Sequence, residues 1–158
     1  MKISSICESS SLVINYADSE DWETAEEAGN IADVSGIRIS RNKELSLVAY
    51  YNDSLVGAVW SCFDIDHEAS DEYGSDVYRF DFDIAVDPKF RGAILAGPKL
   101  IDRALNYYRE LRSDVDNAYI RVHVVNPKLA AFLENNYNFE TEGGMWHRSQ
   151  PHMTYHGD

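Results

Sequence analysis

Residues 80–105 read FDFDIAVDPKFRGAILAGPKLIDRAL, and this stretch decides the fold. Its start alternates. Phe80, Phe82, Ile84 and Val86 share one face of a strand expected over Val77–Val86, and Asp81, Asp83 and Ala85 share the other. Pro98 suits the first turn of a helix, and Leu100, Ile101, Ala104, Leu105, Tyr108 and Leu111 follow at helical spacing, so a helix is expected over about 98–112. A helix start leaves unpaired N–H groups and the positive end of a dipole, and small residues before it let a phosphate approach the backbone. Lys89, Arg91 and Lys99 add positive charge. Neither the P-loop pattern nor the dinucleotide G-x-G-x-x-G is present. On the residues alone two readings stand: a pyrophosphate-binding turn, or a small-residue turn joining a strand to a core helix.

Outward from this stretch, 119–125 reads as a strand. Asn126-Pro127 then caps a helix that carries Leu129, Phe132 and Leu133 and ends near 136–138, and one final strand is expected from Phe139 to about Arg148. Upstream, 12–16 reads as a strand. Asp18-Ser19 caps a helix over about 20–28, stopped by Gly29-Asn30, and 36–40 reads as a brief strand. Residues 45–51 and 55–63 flank Asn52-Asp53-Ser54 as a β-hairpin. Residues 64–77 hold six acidic residues and read as a solvated loop; the EF-hand pattern fails there, with Ala69 at position six and Ser75 at position twelve. This order predicts an α/β (α+β) domain with a mixed sheet.

The chain has 158 residues, 44% of them hydrophobic and 26% charged, which bounds it to one globular domain over 1–158. Its net charge is −13. Five basic and nineteen acidic residues give residues 1–88 a net of −14, whereas nine basic and eight acidic residues give 89–158 a net of +1. Such acidity disfavours nucleic-acid and membrane partners and suits a cationic one. Cys7 and Cys62 form no metal-ligand or redox spacing, and the histidines of the tail (His147, His152, His156) are not on a helix, so no metal is expected. No signal peptide or membrane span is apparent, and a cytoplasmic location is expected.

Residues 80–105 resemble the acyl-coenzyme A motif of the GNAT superfamily of N-acetyltransferases. The second segment, VHVVNPKLAAFLENNYNFETEG from Val122, resembles that family's strand, Asn, helix and terminal Phe. Together they mark a cofactor-binding half at about 78–142. The resemblance implies a GNAT-like, mostly antiparallel central sheet flanked by helices, with acetyl-CoA as co-substrate and an amine as acceptor, and it allows a homodimer. It places the pantetheine arm on the backbone of Ile84, Ala85 and Val86. The pyrophosphate falls on Arg91, Gly92, Ala93, Ile94, Leu95, Ala96 and Gly97. Asn126 and Phe132 lie beside the cofactor, Phe132 where the family often has a tyrosine acid. Ile94 replaces a motif glycine, with Gly97 left to supply close approach, and Asn138 stands where a glycine is usual.

The chemistry implied is direct attack of an amine on the thioester, with a base taking its proton. Asp81 and Asp83 are the candidate bases, on the strand that flanks the thioester; the competing expectation is an exposed strand face, or an ion pair with Arg79 or Arg121. His123 on the next strand is a candidate relay. Glu68 and Asp71 are placed to meet a cationic amine. A catalytically inactive module that senses acyl-CoA or binds a basic protein surface is the alternative, motivated by Ile94 and the missing tyrosine.

Overall fold

The structure, a computed structural model, describes residues 11–90, 95–124, 127–142 and 145–149; at 142 and 145–149 it describes the backbone only. The strands are β1 (Leu12–Tyr16), β2 (Glu44–Tyr51), β3 (Ser54–Ile65), β4 (Tyr78–Val86), β5 (Ala118–His123), β6 (Glu140–Glu142) and β7 (Met145–Ser149). The α-helices are α1 (Trp22–Ser35), α2 (His67–Tyr73), α3 (Ala96–Arg112) and α4 (Pro127–Tyr137). The strands form one sheet in the order β1-β2-β3-β4-β5-β7-β6. Only the β4/β5 pair is parallel, so the sheet is mixed and mostly antiparallel, as expected. A parallel pair needs a crossover, and α3 supplies it.

The alternation in β4 builds two layers. Phe80, Phe82, Ile84 and Val86 meet Leu100, Ile101, Ala104, Leu105 and Tyr108 of α3 and Leu133 of α4. On the opposite face Ala85 joins Val48, Ala58 and Trp60 under Ala28, Ile31 and Ala32 of α1. Bulges between Leu45 and Leu47 and between Ala49 and Tyr50 let β2 and β3 keep an apolar residue toward each layer. Asn52 (φ 51) and Asp53 (φ 68) make the two-residue hairpin turn, both left-handed as that tight turn requires. At the sheet edge Arg103 of α3 donates to the Ile14 carbonyl at 3.0 Å, which occupies one acceptor of the edge strand.

Four expectations are corrected. α1 runs through Gly29-Asn30, because burial of Ile31 and Ala32 outweighs the cost of a mid-helix glycine. Its cap is Asp21, which accepts from the Thr24 N–H. It stops at Gly36, whose φ of 77° lets its N–H reach the Ala32 and Asp33 carbonyls. Residues 37–40 are therefore not a strand. The acidic segment 64–77 contains α2, where Asp66 accepts from the Ala69 N–H and left-handed Gly74 ends the helix. The last strand is two, with β6 and β7 antiparallel.

Gly57 sets how closely α3 approaches the sheet. A Cβ there would lie 2.9 Å from Leu100 Cδ1 and 3.0 Å from the Ala85 carbonyl oxygen. Gly57→Ala is expected to destabilise the fold by about 1–3 kcal/mol through overpacking, read as a lower denaturant midpoint at unchanged m-value.

Candidate active site

Among the described residues the β4/β5 ladder runs from Tyr78↔Ala118 to Asp83↔His123. β4 continues to Val86, paired on its other edge, where Ile84, Ala85 and Val86 face Val59, Ala58 and Gly57 of β3. Their side chains are buried in the two layers. Ser35 Oγ of α1 donates to the Val86 carbonyl at 3.1 Å, and Asp87 N–H donates to the Val56 carbonyl at 2.8 Å, which anchors the strand end.

Beyond β4 a 3-10 turn spans Pro88–Phe90. Arg91, Gly92, Ala93 and Ile94, four of the residues expected to hold a pyrophosphate, lie outside the described residues, as does Asn126. Leu95 precedes α3 at φ 56° and makes no side-chain cap, and the first turn of α3 holds no acidic residue. The helix start thus keeps N–H donors that Leu95 does not cap, beyond the C-terminal end of β4. Ala96 and Gly97 are buried. The bare face of Gly97 meets α4, since a Cβ there would lie 2.6 Å from Leu129 Cδ2. Its small size serves helix packing against Leu129. Phe132 packs half-buried against the core and edge-on to Tyr137, whose hydroxyl donates to Asp102 Oδ1 at 2.8 Å.

The second face of the sheet carries the polar groups. α1 covers it at Ala85, and Ala69 of α2 with Val77 of the segment that follows covers it at Tyr119. Between them lie Cys62, Arg79, Asp81, Asp83, Arg121 and His123. Asp81 and Asp83 are only 3% and 2% exposed, which corrects the expectation of an exposed strand face. Buried carboxylates need partners, and each has one. Arg79 Nε donates to Asp81 Oδ2 at 2.7 Å and Arg121 Nε to Asp81 Oδ1 at 2.9 Å, the pairing anticipated from the strand pattern. Arg79 also reaches Asp66 Oδ2 at 3.4 Å, where the Tyr119 hydroxyl donates at 2.6 Å. Asp83 is held by Lys43, with Nζ to Oδ2 at 3.0 Å and the lysine side chain 8% exposed.

These contacts divide the two candidate bases. Both oxygens of Asp81 are taken by guanidinium groups. Among the described residues Asp83 is bound through one oxygen, by Lys43, and it faces His123 on the last described rung of the ladder. Glu68 and Asp71, expected to meet a cationic amine, are exposed on α2. Lys43 was not among the expected site residues. It lies forty positions from Asp83, yet a buried strand carboxylate implies a cation, and only five basic residues precede position 89.

A groove of about 630 Å³ adjoins this row. α1 lines it with Glu26, Asn30 and Asp33, residues 36–39 form its other wall, and Trp60 closes it. Trp60 is the β3 partner of Asp83 and belongs to the buried core as well as to the groove wall. Among the described residues no group of His, Cys, Asp and Glu is arranged for a metal ion, and no helix is long and apolar enough to cross a membrane.

No protein-family model and no curated protein matches the sequence. Solved structures do match the fold. A GNAT-family acetyltransferase from Streptococcus pneumoniae superposes with a TM-score of 0.58 at 14% identity, covering 87% of this chain and 98% of that one. A putative acetyltransferase from Salmonella typhimurium with its cofactor acetyl-CoA gives 0.58 at 15%, covering 94% and 99%. AtaT complexed with acetyl-methionyl-tRNAfMet gives 0.56 at 16%, covering 87% and 94%. The chain therefore has the GNAT fold.

Burial pushes the Asp66 carboxyl up, but the Tyr119 and Ala69 hydrogen bonds with Arg79 and Arg121 outweigh it and hold it below the usual range. A lowered folded value stabilises above the unfolded pKa of about 4, and that stability is lost as pH falls through the folded value. Asp66→Asn is therefore expected to lower Tm at pH 7. The gap to the parent chain should narrow as pH falls below about 4, measured by thermal melts across pH.

Proposed function

We propose that this protein transfers an acetyl group from acetyl-coenzyme A to a primary amine. The observation that carries the reading is the buried carboxylate of Asp83 on the last described rung of the β4/β5 ladder, ahead of a helix start that Leu95 does not cap. Acetyl-coenzyme A supplies an activated thioester. The backbone of Ile84–Val86 offers hydrogen bonds to an extended pantetheine arm, and the first turn of α3 offers N–H donors to a pyrophosphate.

The rest is the work of this chain's own side chains. Asp83 is the base in this reading, since Asp81 is fully engaged by Arg79 and Arg121. His123, beside Asp83 in register, can pass the proton outward. The groove against Trp60 would seat the body of the acceptor, and Glu26 and Asp33 outnumber Arg38 in its lining, which favours a cationic small molecule or a protein lysine or N-terminus over a polyanion. A nucleic-acid-linked acceptor like that of AtaT is disfavoured by the net charge of −13 and by the engagement of Arg79 and Arg121 with acids of this chain.

One observation favours a second reading, in which the domain binds acyl-coenzyme A without turnover: both candidate bases already hold internal cations. The test is thiol release from acetyl-CoA with polyamines, aminoglycosides and peptide amines. Release with at least one amine is expected, and Asp83→Asn should lower kcat/KM by about 100-fold or more. A Tm rise with acetyl-CoA but no release with any amine would establish the second reading instead.

A further inference from the structure

One segment of chain both walls the groove and supplies the cation on Asp83. It starts at Gly36, left-handed at φ 77°, where α1 ends, and finishes where β2 begins at Glu44. Ile37, Arg38 and Ile39 line the groove, and Lys43 follows before the strand. Residues 37–43 belong to no helix or strand. The backbone is tied near its two ends. Ile37 N–H donates to the Ala32 carbonyl at 2.9 Å, and Lys43 N–H to the Ser40 carbonyl at 3.2 Å. Ile37 is buried with Ile31 and Ala32 of α1. Beyond it Arg38, Ser40, Arg41 and Asn42 are exposed. Among the described residues Arg38, Ile39 and Arg41 make no hydrogen bond or ion pair.

Two polar side chains tie this segment to the sheet. Asn42 Nδ2 lies 3.5 Å from Cys62 Sγ, a weak contact. Lys43 Nζ lies 3.0 Å from Asp83 Oδ2, with the two side chains only 8% and 3% exposed. Trp60, the β3 partner of Asp83, closes the groove beside this pair. A segment with few backbone hydrogen bonds opens at low cost unless something pins it. Here the pin is a buried ion pair. Breaking it with no replacement leaves a buried carboxylate alone, which is strongly unfavourable. Trading one ammonium for another is not, since Asp83 stays paired and the Lys43 head returns to water.

We propose that residues 38–43 are a movable wall of the groove, latched by Lys43 on Asp83, and that the latch yields to a ligand ammonium that takes the place of Lys43. That this ligand is the acceptor rests on the acetyl-transfer reading above. The device selects by charge. A protonated amine releases the wall, and a neutral ligand does not. It also keeps Asp83 paired before the acceptor arrives.

Nitrogen-15 relaxation of the full chain tests the latch. The amides of residues 38–42 should be rigid in the parent chain, with order parameters of ~0.85, and mobile in Lys43→Met/Asp83→Asn, at about 0.6 or below. The double variant carries no unpaired charge at either position, so it avoids the folding penalty of Lys43→Met alone. The amides of residues 80–82 should keep their parent values. Methylammonium chloride is the ligand probe, compared with sodium chloride at equal ionic strength. It should lower the order parameters of 38–42 in the parent chain and leave the double variant unchanged. Equal rigidity of 38–42 in both chains, a loss of order that spreads through β4, or a parent chain indifferent to methylammonium overturns the inference. Thiol release is read separately. A wall that answers to methylammonium while no amine yields thiol leaves the latch standing and removes the acetyl-transfer reading. Thiol release from a chain whose wall stays rigid does the reverse.

Discussion

The parallel β4/β5 pair is the constraint on which the rest depends. Parallel strands cannot be joined by a tight turn, so the chain must leave the sheet, cross it as a helix and return. That puts the start of α3 just beyond the C-terminal end of β4. Among the described residues the ladder runs to Asp83↔His123, and β4 continues to Val86. The end of β4 and a helix start that Leu95 does not cap then lie close along the chain, and the helix start has N–H groups to offer. Gly57 supports the arrangement from β3, where the lack of a Cβ admits Leu100 of α3.

The polar face shows where some of the acidity goes. Asp66, Asp81 and Asp83 belong to the acidic first half, and each has a cation on it from Lys43, Arg79 or Arg121. These acids are balanced within the fold and exert little pull on a distant cation. The surplus that can attract one sits elsewhere, including Glu26 and Asp33 in the groove. Removing one partner of a buried pair typically costs about 3–5 kcal/mol, so the strip also constrains what evolution can change near the end of β4. Cys62 lies in the same row. Burial first, and the neighbouring Asp81 second, push its thiol up, which keeps it protonated at neutral pH and a poor nucleophile.

Local signals were legible wherever one residue type had one job. Alternation revealed β4 and both its faces, Asn52-Asp53 the hairpin, and Pro98 with the spaced leucines α3. The errors came where two jobs compete for one residue. Gly29 looked like a stop, but packing of Ile31 and Ala32 carried the helix past it to Gly36. Asp66 looked like part of a solvated loop, but it caps α2 and receives Tyr119. Lys43 was missed because its partner is distant in sequence, and only the folded sheet brings β2 and β4 within reach of one side chain.

The central claim is that acetyl-coenzyme A binds at the end of β4. Amide hydrogen exchange with and without acetyl-CoA tests it directly. The account predicts slowed exchange in Ile84–Val86 and in the first turn of α3, with β1 and the β2/β3 turn unchanged. Saturating acetyl-CoA that leaves the end of β4 unprotected, or protects another region instead, would contradict it.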